Sequence, residues 1–102
     1  MNPLHLLPRH YTLQEFLALE AASEQRHEYV EGKAFVTEYD TLAHNLTKSN
    51  LIAALRPEVR QLGGQVFSTS VQLEVQAGSC YLYPDVAVSC GPADRQDPYL
   101  LR

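Results

Sequence analysis

Basic residues are scarce in this chain. Lys33 and Lys48 are its only lysines, and Lys and Arg number 8 against 12 Asp and Glu, for a net charge of -4. A protein that coats nucleic acid through its phosphates is expected to be basic, so non-specific electrostatic binding is excluded as the main activity. Nucleases that gather carboxylates around a metal ion are not excluded, because those carboxylates themselves lower the charge. Long apolar runs are missing too. No stretch of about 18 apolar residues occurs, which rules out a membrane-crossing helix in the sequence given. Met1 to Pro8 holds leucines but neither the basic start nor the apolar core of a signal peptide. There is no Gly-rich phosphate loop and no Gly-x-Ser-x-Gly. Cysteine is limited to Cys80 and Cys90, with no paired histidines or second Cys-x-x-Cys, so a structural zinc site is not expected. Both cysteines read as lying along one strand, where ten residues span about 33 Å, far beyond disulfide reach. They are expected as reduced thiols of a cytoplasmic protein.

What is present suits one modest core. Of 102 residues, 45% are hydrophobic and 20% charged, ordinary for a folded protein. Thr12-Leu13-Gln14-Glu15 matches a capping box, and Leu13, Phe16, Leu17 and Ala21 follow on one helical face, ending near Ser23. His27 to Glu38 reads as two short antiparallel strands turned at Glu31-Gly32, where glycine supplies a positive φ. Leu42 to Leu62 reads as a longer helix with a buried stripe of Leu51, Ile52, Leu55, Val59 and Leu62. Pro57 is expected to kink or interrupt it near Ala53, and Gly63-Gly64 to stop it.

Beyond the glycines the period becomes two. Gln65 to Ser68 is a short strand, and Val71, Leu73 and Val75 alternate with polar residues along the next. Ala77-Gly78-Ser79 turns the chain into Cys80 to Ser89, read as a single strand with Leu82, Val86 and Val88 on one side. Gly91 to Pro98 is a polar loop, and Tyr99-Leu100-Leu101 opens another strand. The order of elements gives an α+β fold, a sheet backed by the long helix.

Asp85 stands out. A carboxylate inside an apolar strand costs several kcal/mol unless a partner or metal compensates, and Pro84 before it removes a ladder hydrogen bond. A hard cation is one explanation. A solvated strand-end aspartate is the other. His44 lies about five turns before Leu62, on the side of the buried stripe, near a helix N-terminus that favours anions. Packing or capping is the alternative role. Glu28 shares a side of its strand with Val30 and, by pattern alone, reads as solubilising.

Four segments occur in order: Tyr11-Thr12-Leu13-Gln14-Glu15-Phe16-Leu17, Arg26-His27-Glu28-Tyr29-Val30-Glu31-Gly32, His44-Asn45-Leu46 and Tyr83-Pro84-Asp85-Val86-Ala87-Val88. Together they resemble the Uma-two family of restriction endonucleases, a branch of the PD-(D/E)XK nuclease superfamily. The resemblance implies a restriction-endonuclease-like α/β core, a central mixed sheet with flanking helices, and Mg²⁺-dependent hydrolysis of DNA. It also implies that Asp85 binds the metal, that Glu28 and His44 line the catalytic pocket, and that an acid and a lysine follow on the next strand. No glutamate and no lysine follow Asp85 here. The chain is therefore expected to be a partial domain over 1–102, with 1–10 an extension and 91–102 a loop and a cut-short strand. It is expected to be inactive alone, and to self-associate or pair with a complementing chain through an open sheet edge. A split nuclease or a non-catalytic interaction module is the competing function.

Overall fold

The structure is a computed structural model that describes residues 6–37, 40–68 and 71–102. It divides into two compact units, Met1–Tyr39 with Glu74–Leu82, and Asp40–Leu73 with Tyr83–Arg102. The architecture is α+β, as expected, with two α-helices among short strands in the described residues.

The first unit begins with a strand where only an extension was expected. β1 (Leu6–His10) pairs antiparallel with β3 (Lys33–Val36), so part of the 1–10 segment is structured. Next comes α1 (Leu13–Ala22), where Thr12 accepts from the Glu15 amide and Glu15 accepts from the Thr12 amide, completing the capping box. Ser23 caps its other end. The buried face of α1 differs from the expected one: Phe16 is fully buried with Leu13 and Leu19 beside it, whereas Leu17 is 44% exposed and Ala21 is exposed. The stripe turns toward Leu19 and Glu20 because the groups it must cover are aromatic rings and a histidine.

β2 (His27–Val30) and β3 form the expected hairpin; the expected boundary at Glu38 lies outside the described residues. Glu31 and Gly32 have φ of 47° and 86°, the doubly left-handed turn that matches strand twist. Glycine meets this requirement freely, and Glu31 does so at some cost. The Glu31 amide donates to the Ser79 carbonyl at 2.7 Å, which helps fix the turn. β6 (Cys80–Leu82) pairs with β2, and the Ala77-Gly78-Ser79 turn joins it to β5 (Gln72–Gln76). The core here is aromatic. Phe16 stacks on Tyr29 with ring centroids 4.7 Å apart, and Tyr81 lies 6.2 Å from Phe16. Such ring pairs add to their area burial. The Tyr29 hydroxyl donates to the Tyr11 carbonyl, and that of Tyr81 to Glu74, so both buried phenols are satisfied.

The second unit is built on α2 (Leu42–Gln61). Pro57 does not interrupt it: the helix runs on through the one backbone bond that proline removes. The expected stripe is also narrower. Val59 is buried and Ile52 and Leu55 are half-buried, but Leu51 and Leu62 are 47% and 73% exposed. A two-strand ladder covers less of a helix than a full sheet would. Gly63-Gly64 ends the helix and folds the chain back into β4 (Gln65–Ser68), which pairs antiparallel with β7 (Val86–Ser89); α2 packs on both. A side chain at Gly64 would meet the Ser89 carbonyl at 2.8 Å and Val59 Cγ1 at 2.9 Å, so this close approach requires glycine.

Cys80 to Ser89 is not a single strand. It breaks between β6 and β7 at Tyr83-Pro84-Asp85, where proline removes a ladder donor. Cys80 and Cys90 therefore lie in different units, both free, and the one-strand spacing argument does not apply. Along β5, Leu73 is half-buried but Val75 is 56% exposed, so the alternation holds only in part. The loop after β7 holds a 3-10 turn, Pro92–Arg95. Buried Ser89 pins it, its hydroxyl lying 2.9 Å from Asp94 and 3.0 Å from Arg95. β8 (Leu100–Leu101) then pairs in parallel with Gln72 and Leu73 of β5, and Leu101 is buried.

Candidate metal centre

The site lies wholly within the second unit. Thr41 caps α2 by accepting from the His44 amide at 3.1 Å, which fixes the first turn. Asp40 precedes the cap, where its negative charge faces the positive end of the helix. The reversal at Gly63-Gly64 runs β4 back along α2, and the antiparallel ladder sets Val86 opposite Ser68. The start of β7 is thereby directed toward the start of α2. Asp85 immediately precedes β7 and meets His44 there, with Asp85 Oδ2 3.0 Å from His44 Nε2.

The same imidazole nitrogen lies 3.5 Å from Asp40 Oδ1. One ligand-type atom from each of Asp40, His44 and Asp85 falls within 4.8 Å of the other two. The Lys48 ammonium contacts Asp40 Oδ2, to which the Asn45 amide donates at 3.3 Å. Lys48, aided by Asn45, holds the Asp40 carboxyl below its ordinary value of 3.8 despite some desolvation. Asp40 Oδ1 is thus left pointing at His44 while Oδ2 is anchored.

Asp85 is not in a strand interior, and its side chain is 55% exposed. The desolvation argument that singled it out is therefore corrected: the interruption between β6 and β7 keeps it in water. It is nevertheless not isolated, because His44 and Asp40 converge on it. His44 is likewise 47% exposed rather than turned into the buried stripe. Glu28 belongs to the first unit, half-buried on β2 on the side away from the core-facing His27 and Tyr29. Sequence reasoning missed Asp40 and Lys48. No glutamate and no lysine follow Asp85, as the sequence shows; Asp40 and Lys48 lie before it. Asp40, His44 and Lys48 are spaced four residues apart, the spacing of one helical face, and that signal was available.

A divalent cation fits this donor set. Two carboxylates and an imidazole are open to solvent, and contacts of 3.0 and 3.5 Å suit adjacent ligands of a cation held at about 2.1 Å. Remaining positions would be left to water and substrate. The first unit has its own carboxylate–histidine pair, Glu20 Oε1 at 2.6 Å from His27 Nδ1, with His27 only 4% exposed. It is closed to solvent and offers no such opening.

No helix among the described residues is long and apolar enough to cross a membrane. No curated protein and no solved structure matches the chain. A family model does, over residues 13–101, that of Uma2, described as "Putative restriction endonuclease". The mixed strands and two helices agree with a restriction-endonuclease-like fold. With nearly its whole length matched, the chain belongs to the Uma2 family.

Proposed function

We propose that this chain carries a metal-dependent DNA endonuclease site in which Asp85, His44 and Asp40 hold the cation. The observation that supports it is the convergence of these three side chains, on a chain whose family model is described as "Putative restriction endonuclease". The family implies Mg²⁺ as the cation. When bound, such an ion supplies Lewis acidity at a phosphate oxygen and an acidified water for phosphodiester hydrolysis.

The chain's own residues orient and neutralise. Asp85 and Asp40 offer carboxylate oxygens, Lys48 fixes one oxygen of Asp40, and His44 is placed to bind the cation or accept a proton. Glu28 stays a catalytic candidate through the family resemblance alone. DNA is the proposed partner and the cytoplasm the proposed location. The test is plasmid DNA with Mg²⁺ or Mn²⁺: cation-dependent nicking abolished by Asp85→Ala supports the reading, and nicking that survives in Asp85→Ala contradicts it. Cation binding without any nicking would favour the inactivity expected from the sequence.

A second reading is association with another copy or a complementing chain. Among the described residues the β4–β7 ladder has only two strands, and Leu42 and Leu46 on α2 are 93% and 62% exposed. Exposed strand edges and apolar patches favour pairing. A monomer by light scattering at high concentration would remove association with another copy.

A further inference from the structure

We infer that the cavity walled by β7 and β8 is a nucleobase pocket, which takes an unpaired guanine of the DNA. This rests on the DNA-cleaving reading above and names a base that it would recognise. The cavity has a volume of about 290 Å³, suited to one heterocycle rather than to a peptide or a drug-sized ligand. It lies wholly in the second unit, with Leu73, Val86, Val88 and Leu101 as apolar walls and Ser89 and Asp94 as polar groups. Pro84 and Val86 both line it, and Asp85 between them belongs to the cation cluster, so pocket and cluster are neighbours along the chain.

The walls are fixed before any ligand arrives. Arg95 Nη1 donates to the Ser89 carbonyl at 2.8 Å and the Arg102 amide to the Asp94 carbonyl at 3.1 Å, which ties the 3-10 turn to β7 and to the end of β8. The buried Ser89 hydroxyl donates to Asp94 Oδ2 at 2.9 Å, and no hydrogen bond among the described residues engages Oδ1. A half-buried carboxylate with an open oxygen selects N–H donors and repels carbonyl edges and phosphates. Guanine sets two N–H donors side by side on its Watson–Crick edge, whereas the N3–H of thymine lies between two carbonyls. An extruded base is read by such edge contacts while its flat faces pack on apolar walls. A free nucleoside offers the same edge. DNA is favoured because exposed Arg102 also lines the cavity, a positive charge suited to the phosphates that flank a base.

The experiment is methyl NMR of the full chain without metal, titrated separately with three probes. These are a thymine pentanucleotide carrying one central guanine, the all-thymine pentanucleotide, and deoxyguanosine; single strands spare the cost of unpairing. The expected result is saturable shifts at Val86, Val88 and Leu101, with the guanine strand binding tighter than the all-thymine strand by about tenfold or more. Asp94→Asn should erase that ratio. The strand comparison on the unsubstituted chain stands whether or not the variant folds. Equal affinity for the two strands, or shifts confined to residues outside the cavity, overturns the inference. So does a folded Asp94→Asn that weakens both strands alike and keeps the ratio, the mark of a merely structural role. Shifts with deoxyguanosine but not with the guanine strand would assign a free nucleoside and overturn it too. The endonuclease reading fails separately: guanine-selective shifts without nicking sink only the activity, and nicking without such shifts sinks only this inference.

Discussion

Each unit sets a histidine against a carboxylate, and the two pairs differ in everything but their chemistry. His27 and Glu20 meet at 2.6 Å with side chains 4% and 13% exposed, in the first unit. His44 and Asp85 meet at 3.0 Å with side chains 47% and 55% exposed, and a second carboxylate shares the same nitrogen. The first pair is a nearly buried hydrogen-bonded contact, whose loss is costly because it disturbs polar groups shielded from water. The second gains little stability from its contacts, because exposed pairs are screened and contribute little. Charge left in the open by a folded protein is available for a ligand.

The contrast can be broken in several ways. Phe16→Ala is expected to cost the most, about 3–5 kcal/mol, because it empties the stacked aromatic centre of the first unit; denaturant unfolding measures it. His27→Ala should cost about 2–3 kcal/mol, because it removes a nearly buried imidazole together with its 2.6 Å contact to Glu20. A loss under about 0.5 kcal/mol would erase the difference between the pairs.

Thr12→Ala should cost about 1 kcal/mol through the lost cap of α1. By contrast His44→Ala, at an exposed position, is expected to stay within about 0.5 kcal/mol in the absence of metal. The smallest effect is electrostatic. Asp40 is held below its ordinary 3.8, so its contribution is present above the unfolded value and is lost as pH falls through the lower folded one. Near neutral pH nothing should change. In Lys48→Ala the carboxyl resonance of Asp40, followed by NMR, should titrate closer to 3.8 than in the unsubstituted protein.

Local signals carried most of the fold. The capping box at Thr12, the Glu31-Gly32 turn and the glycines after α2 each act within a few residues, so their elements were legible. What failed depended on partners far along the chain. Leu17 reads as core until Leu19 and Glu20 take the inward face, and residues 6–10 read as an extension until β3 supplies a ladder. Pro84 was seen to remove a ladder hydrogen bond, yet Cys80 to Ser89 was still read as one strand with Asp85 inside it. The candidate site was legible in half. Asp85 and His44 drew attention through their local setting and Glu28 through the resemblance, while Asp40 and Lys48 were overlooked because the acid and lysine were sought only after Asp85.

The most direct test of the centre is a calorimetric titration of Mn²⁺ into the unsubstituted chain and into Asp85→Ala, with circular dichroism to show both folded. The expected result is one saturable binding event that disappears in the variant. Undiminished binding by Asp85→Ala would place any cation elsewhere and contradict the role assigned to Asp40, His44 and Asp85.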